Sequence, residues 1–253
     1  MLAQFYEVEP LKRIFDASKE IVKDININVN ANGLEFTAMD NSHVAIAKVT
    51  IASSSCMMYN CETECIIGIK LDVFSKFLSL FDGKDSLALK YVDSADVLEI
   101  ESRNTMSTEF GKFSMKLLQL DADEYTIPDI EFDVKITMPF FKLNKIIKDL
   151  LVLGDTLTIT ANDLGVTFSL GENAHDGQGG LTFCNSEKVA IEKKVETLKL
   201  TFSLHYFNKF VKVPLTQESI VLGLKDETPM MLEIPVENLA TVRFYMAPKM
   251  NDL

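Results

Sequence analysis

Residues 71–80 read LDVFSKFLSL, and residues 204–213 read LHYFNKFVKV. Four positions match between these segments at a constant spacing of 133 residues (204 − 71). The matching residues are Leu71, Phe74, Lys76 and Phe77 in the first segment and Leu204, Phe207, Lys209 and Phe210 in the second. Apolar residues three apart line one face of a helix, so both segments are predicted to be amphipathic helices. Four matches in the same order indicate an internal repeat.

The repeat extends in both directions from these helices. Downstream, the string LEI at 98–100 recurs at 232–234. Upstream, predicted helices near 9–22 and 140–152 are each followed by a segment in which apolar and polar residues alternate, the pattern of a half-buried strand. Each half is therefore read as strand, helix, several strands, helix and several strands. This order predicts an α+β fold with two similar domains.

The domain boundaries follow from the repeat. We predict an N-terminal domain over 1–117, a connecting linker over 118–132 and a C-terminal domain over 133–253. The linker is acidic, contains Pro128 and lacks sustained helical periodicity, so an extended conformation is expected.

Composition describes a folded chain with no obvious cofactor. Hydrophobic residues make up 47% and charged residues 25% of the 253 residues, as in globular proteins. No uninterrupted apolar stretch is long enough to span a bilayer, and no basic leader precedes the first residues, so no membrane segment or secretory signal is expected. Four cysteines are then expected to be reduced thiols. Cys61 and Cys65 have the spacing of a metal pair, but no further Cys or His completes a set nearby, so no metal site is predicted.

Five strings carry a family resemblance over nearly the whole chain. They are LKRIF at 11–15, MDNSHV at 39–44, the linker from Leu120-Asp121 to Ile127-Pro128, KDL at 148–150 before Gly154-Asp155, and YMAPK at 245–249. In order and spacing they resemble the eukaryotic DNA sliding clamps of the proliferating cell nuclear antigen family. The resemblance implies the DNA-clamp fold, with antiparallel sheets outside and four helices lining a head-to-tail homotrimeric ring.

Charge is distributed unevenly along the chain. The net charge of −12, taken alone, argues against nucleic-acid binding. The four predicted helices nevertheless hold nine cations against five acidic residues. The cations are Lys12, Arg13, Lys19, Lys76, Lys142, Lys145, Lys148, Lys209 and Lys212.

Several of these cations are three or seven residues apart, which places them on one helix face. For any single helix, a solvated lysine face is the simpler explanation. For four helices of an acidic protein, we interpret the pattern as a shared DNA-facing surface. Lysine is a mobile point charge suited to salt-sensitive attraction, so double-stranded DNA is expected to bind without sequence specificity.

The resemblance also implies a groove for partner peptides beneath the linker. The matching residues are Met39, His43, Val44, Ile46, Tyr125, Ile127, Phe132, Pro229, Tyr245, Met246, Ala247 and Pro248. An apolar patch with a polar rim suits a short peptide with an aromatic anchor, although ordinary core packing is an equal alternative for Ile46 and Phe132. The implied partners are DNA polymerase, the clamp loader and other replication and repair proteins with such peptides.

Two strand edges are implied to join subunits. The interface residues expected are Phe113, Met115 and Leu117 on one edge and Leu181 and Phe183 on the other. A homotrimer needs both edges on one chain. A subunit of a checkpoint-type heterotrimeric clamp is the alternative, since it shares the fold and the lysine helices.

An enzyme is not predicted. The chain has three histidines (His43, His175 and His205) and neither the GxGxxG nor the GxxxxGK[ST] string. Glu172 and Asp176 flank a loop rather than form an acid–base pair. The resemblance implies a non-catalytic nuclear protein of DNA replication and repair.

Overall fold

The computed structural model describes residues 1–92, 96–104, 110–121, 125, 127–171, 178–216 and 218–249. The chain forms two compact units. The first comprises Met1–Asn41, Ala47–Tyr125 and Val236–Val242, and the second comprises Ser42–Ile46, Thr126–Pro235 and Arg243–Leu253. The division at 117 and 133 that the sequence suggests stays a prediction.

Strands and helices follow the same order in each half of the chain. The first half contains β1 (Leu2–Phe5), α1 (Val8–Ser18), β2 (Asp24–Asn30), β3 (Gly33–Met39), β4 (Ala45–Ala52), β5 (Met58–Asn60), β6 (Cys65–Lys70), α2 (Leu71–Leu78), β7 (Ser86–Lys90), β8 (Val97–Arg103) and β9 (Phe110–Lys116). The second half contains β10 (Val134–Pro139), α3 (Phe140–Leu151), β11 (Thr156–Asn162), β12 (Gly165–Leu170), β13 (Gly180–Phe183), β14 (Ala190–Lys193), β15 (Leu198–Ser203), α4 (Leu204–Lys212), β16 (Ser219–Leu224), β17 (Met230–Val236) and β18 (Ala240–Met246).

The strand order repeats as well. The order β5-β1-β7-β8-β9 recurs as β14-β10-β16-β17-β18, and β4-β3-β2-β6 recurs as β13-β12-β11-β15. Pairing is antiparallel in both halves, as between β8 and β9 and between β12 and β13. The predicted α+β fold of two similar halves with antiparallel sheets is confirmed.

Each half packs its two helices together over its sheets. In the first unit, the ring of Phe15 on α1 meets that of Phe74 on α2 edge-on, with 4.7 Å between centroids. In the second unit, α3 contacts α4. The apolar face of α3 is buried, namely Leu143, Ile146, Ile147 and Leu150. None of the described helices has both the length and the apolarity needed to cross a membrane.

Helix α1 ends four residues before the predicted limit of 22. The hydroxyl of Ser18 donates to the carbonyl of Ile14 (2.8 Å), and the amides of Ile21 and Val22 donate to the carbonyl of Ser18 (both 3.0 Å). Ile21 and Val22 are buried in this turn. Because Ile21 and Val22 are apolar, the sequence predicted a helix that is longer than the one in the structure.

Two glycines fix equivalent hairpin turns. Gly33 has φ of +139° and Gly165 has φ of +125°, values that favour glycine. A Cβ at Gly33 would lie 2.0 Å from the carbonyl oxygen of Ile51, and one at Gly165 would lie 2.1 Å from that of Phe183. Ile51 on β4 and Phe183 on β13 therefore occupy corresponding positions in the two halves.

Two sheet edges are covered by other segments of the chain. The linker begins against β6, where the amide of Leu118 donates to the carbonyl of Gly68 (2.9 Å) in an isolated antiparallel bridge. At the far end of the chain, the amide of Lys249 donates to the carbonyl of Thr201 on β15 (2.7 Å). Beyond Leu118, the described residues up to Phe132 form no helix or strand.

Candidate nucleic-acid interface, peptide groove and sheet edges

The nine predicted DNA-facing cations all lie on or beside the four helices. Eight are within α1, α2, α3 and α4, and Lys19 directly follows the last residue of α1 as its C-cap. Because the helices bury their opposite faces, these side chains emerge on the solvent side. We call this set the helix cations.

Acidic neighbours engage two helix cations of α1. The guanidinium Nε of Arg13 lies 2.8 Å from Glu9 Oε1, and the ammonium of Lys19 lies 2.5 Å from Asp16 Oδ1. These pairs are three or four residues apart on one helix, and partly exposed pairs of this kind are weak. A phosphate can therefore compete for both cations.

Aromatic rings engage two more helix cations. The Lys142 ammonium lies 5.9 Å from the centre of the Phe183 ring, and the Lys209 ammonium lies 4.7 Å from that of Tyr206. Cation–π contacts at exposed sites contribute about 0.5–1 kcal/mol. Lys142 is thus directed toward β13, whereas Lys209 stays on its own helix.

Four helix cations make neither an ion pair nor a contact with an aromatic ring within the part of the chain that the structure describes. They are Lys12, Lys76, Lys145 and Lys148. Lys76, Lys145 and Lys148 are exposed, and Lys12 is partly exposed. These four are the cations most available to an anionic ligand.

The predicted groove residues are divided between the two units. Met39 and Tyr125 belong to the first unit, and the other ten belong to the second. Within the second unit, the amide of Ala247 donates to the carbonyl of Val44 (3.0 Å), which aligns the end of β18 with the start of β4. His43 precedes this contact in an exposed turn with φ of +55°.

The groove residues differ widely in exposure. Ala247 and Pro229 are exposed, and Val44, Ile46, Ile127 and Pro248 are partly exposed. Met246 is fully buried. Phe132 is also buried, and its ring covers Gly223 so closely that a Cβ there would lie 2.7 Å from the ring. The exposed and partly exposed members are therefore those that a ligand could reach.

Tyr245 is 8% exposed and lies among charged side chains. Arg243 bonds Glu233 in this region, with 2.6 Å between Nε and Oε2. Burial raises the pKa of Tyr245, Arg243 opposes that rise, and the carboxylates of Glu233 and Asp129 add to it. Asp129 of the linker thus contributes to the electrostatic environment of Tyr245.

The predicted subunit edges are strands at sheet borders. β9 has β8 as its only neighbour, and β13 has β12 as its only neighbour, among the described residues. Phe113 on β9 packs against Phe77 and Phe81, with centroid distances of 5.9 and 5.7 Å. Phe113 and Leu181 are exposed, Leu117 and Phe183 are partly exposed, and Met115 is buried.

Corresponding strands in the other half bury the same positions. The string FSM at 113–115 on β9 recurs as FYM at 244–246 on β18. Phe113 is 38% exposed and Phe244 is 0% exposed. Leu181 on β13 is 45% exposed, whereas its counterpart on β4, Val49, is 1% exposed. The edge strands β9 and β13 thus expose apolar side chains, whereas the equivalent side chains on β18 and β4 are buried.

Comparison with known families identifies the chain. The family model described as proliferating cell nuclear antigen, N-terminal domain, matches residues 1–126. The family model described as proliferating cell nuclear antigen, C-terminal domain, matches residues 126–249. The chain belongs to the proliferating cell nuclear antigen family. Its fold is the DNA-clamp fold, as the sequence resemblance predicted.

Individual relatives align over nearly the full chain. Proliferating cell nuclear antigen of Chaetomium thermophilum is 31% identical over 257 residues, which cover 99% of this chain and 98% of that protein. Proliferating cell nuclear antigen 2 of Drosophila melanogaster is 29% identical over 242 residues, which cover 96% and 94%. Members of the family are non-enzymatic DNA sliding clamps, and membership supports a processivity function in DNA replication.

Some features were not predicted from the sequence. The contact of Lys142 with Phe183 joins two residues distant in the chain, and no sequence pattern indicates it. Phe141 and Phe110 are exposed aromatic residues beside the predicted sites. Phe141 could have been noticed, because it is four residues before Lys145 on the polar face of α3.

The described residues contain no group of three His, Cys, Asp or Glu side chains placed to hold a metal ion, whereas His175, Glu172 and Asp176 lie outside them.

Proposed function

We propose that this chain forms a homotrimeric ring that encircles duplex DNA in the nucleus and tethers DNA polymerase and other replication and repair proteins to it. The observation that carries the proposal is the set of available lysines on helices of an acidic member of a clamp family. The acidic side chains outside the helices repel DNA from the rest of the surface, whereas the helix cations attract its phosphates locally.

The homotrimer is supported by the repeat. β18 ends in a hydrogen bond with the start of β4, from Ala247 to Val44. β9 corresponds to β18 and β13 corresponds to β4, yet both remain at sheet borders with exposed apolar side chains. Pairing β9 of one copy with β13 of the next would cover them, and such a head-to-tail contact generates a ring when the rotation closes.

Partner tethering is supported by the exposed part of the groove. Val44, Ile46 and Ile127 are partly exposed apolar side chains in the second unit, with Pro229 and Ala247 exposed in the same unit. An apolar patch of this kind suits a peptide that inserts an aromatic anchor. We expect DNA polymerase, the clamp loader and repair proteins to present such peptides.

Retention on circular DNA tests the proposal. The purified chain is loaded by a eukaryotic clamp loader onto a nicked circular plasmid, which is then linearised. A ring that encircles DNA without sequence readout stays on the circle and leaves the linear form. Native mass spectrometry is performed on the same sample, with a mass near three times 28.4 kDa expected. A stable monomer that trimerises only with other subunits would support the checkpoint-type clamp instead.

A further inference from the structure

Phe141 is an exposed aromatic residue in the first turn of α3. Its side chain is 62% exposed, whereas Leu143 and Ile146, on the core-facing side of the same helix, are buried. A phenyl ring exposed to water forgoes the stabilisation that burial would give it. The ring therefore contributes little to the core of this subunit.

Two available cations follow Phe141 on the same face of α3. Lys145 is four residues further on and Lys148 is seven, so the three side chains form one stripe. Along the helix axis they lie roughly 6 and 10 Å from Phe141. Lys142 is not part of this stripe, because its ammonium lies over the Phe183 ring. The stripe consists of one aromatic ring and two cations without an ion pair within the described ranges.

Helix α1 has a different chemistry at the corresponding place. Glu9 precedes Leu11 by two residues, as Phe141 precedes Leu143, and Glu9 pairs with Arg13 at 2.8 Å. In α3, the residue that corresponds to Arg13 is Lys145, which lacks this acidic partner. The fold thus accepts a polar side chain at this position and does not require an aromatic one.

We propose that the α3 stripe, Phe141 with Lys145 and Lys148, binds single-stranded or unpaired nucleic acid, the ring stacking on one base and the ammonium groups contacting phosphates. This proposal rests on the proposed DNA function. Every base has a π-face on which an aromatic ring can stack, and stacking of this kind recurs in proteins that hold single strands. In a duplex these faces are occupied by neighbouring base pairs, so the ring adds affinity only where a base is unpaired.

A single-tryptophan variant tests the proposal. The chain contains no Trp, so Phe141→Trp introduces the only indole fluorophore. Titration with a short oligothymidylate at low salt is expected to quench its emission, and a blunt duplex of the same length is expected to quench it much less. Leu164→Trp is the control, because Leu164 is 75% exposed in the turn between β11 and β12 rather than on a helix. Equal quenching of Phe141→Trp by both oligonucleotides, or none, would overturn the proposal.

Alanine variants separate this proposal from the general DNA function. Phe141→Ala is expected to weaken oligothymidylate binding at least about fivefold and leave duplex binding unchanged. Lys145→Ala with Lys148→Ala is expected to weaken both. If only the lysine variant loses affinity for the oligonucleotides, the stacking proposal fails and the DNA function stands. If neither the Phe141 variant nor the lysine variant loses affinity, the DNA function fails at α3. A changed oligomeric mass of Phe141→Ala would instead assign the ring to a contact between copies and overturn the stacking proposal.

Discussion

The rings of Phe210 and Phe244 lie parallel, with 4.6 Å between centroids and 1° between planes. Their counterparts in the first half, Phe77 and Phe113, are 5.9 Å apart and tilted by 52°. Phe244 is fully buried, whereas Phe113 is exposed on a strand without a second neighbour among the described residues. The contact between α4 and β18 is therefore closely stacked and buried. The corresponding contact between α2 and β9 is wider and leaves Phe113 exposed.

We expect Phe113→Asp to convert the proposed trimer into monomers without unfolding the subunit. A charge on the β9 edge would be buried without a partner in the assembled ring, at a cost of several kcal/mol, but would stay hydrated in the monomer. Native mass spectrometry and circular dichroism measure both properties. Val92→Asp, at an exposed apolar residue outside the predicted edges, should leave the trimer intact. An intact trimer of Phe113→Asp would rule out this edge.

Removing helix cations should flatten the salt dependence of duplex binding. Each cation that contacts a phosphate releases counterions, so its loss reduces the slope of log affinity against log salt by roughly 0.9. The variant combines alanine at Lys12, Lys76, Lys145 and Lys209. Alanine at Lys84 and Lys188, which lie outside the helices, is the control and should leave the slope unchanged. The idea is wrong if the folded quadruple variant keeps the parent slope.

Ile127→Ala should weaken partner-peptide binding by about 1–2 kcal/mol and change folding stability by roughly 0.5 kcal/mol or less. Ile127 is a partly exposed linker residue, so truncating it leaves no core cavity. The probe is a peptide with the pattern Gln-x-x-hydrophobic-x-x-aromatic-aromatic, titrated calorimetrically. Ile130→Ala, also partly exposed in the linker, is the control. Tyr245→Ala is a poorer test, because Tyr245 is buried and its truncation should lower the melting temperature as well.

Unfolding at alkaline pH should depend on Tyr59. Its hydroxyl lies 2.6 Å from the carbonyl of Asn30 and 2.8 Å from that of Gly33, and burial, followed by the nearby thiols, raises its pKa. The folded protein then keeps a proton that the unfolded chain releases above pH about 10, so the free energy of unfolding falls as pH rises past that value. Tyr59→Phe should be less stable at pH 8, by about 1 kcal/mol, and should lose less stability between pH 9 and 11. Tyr6→Phe, at an exposed residue, should retain the parent profile in urea titrations at each pH.

The sequence predicted best those features that depend on local periodicity. All four helices, the alternating strands β2 and β11, and the repeat that relates the halves follow from apolar spacing. The end of α1 does not, because Ile21 and Val22 are buried in a turn after the helix. Local pattern cannot separate residues buried by a helix from those buried by the turn that follows it.

The predicted sites were limited by contacts between distant residues. Spacing placed pairs of helix cations on the same helix face but could not show that Lys142 turns to Phe183. The terminal string YMAPK combines a buried Met246 with an exposed Ala247, because β18 ends between them. Residue type alone does not reveal where a strand stops.

The contact between Gly68 and Leu118 has a consequence for aggregation. An open strand edge can recruit any other strand, and repeated recruitment leads to fibres rather than closed rings. Here the chain occupies the border of β6 with its own linker, and Lys249 occupies part of the border of β15. A methyl group at Gly68 would lie 2.2 Å from the Leu118 carbonyl oxygen and displace the linker. Gly68→Ala should therefore make the purified protein precipitate on storage, visible as growing light scattering.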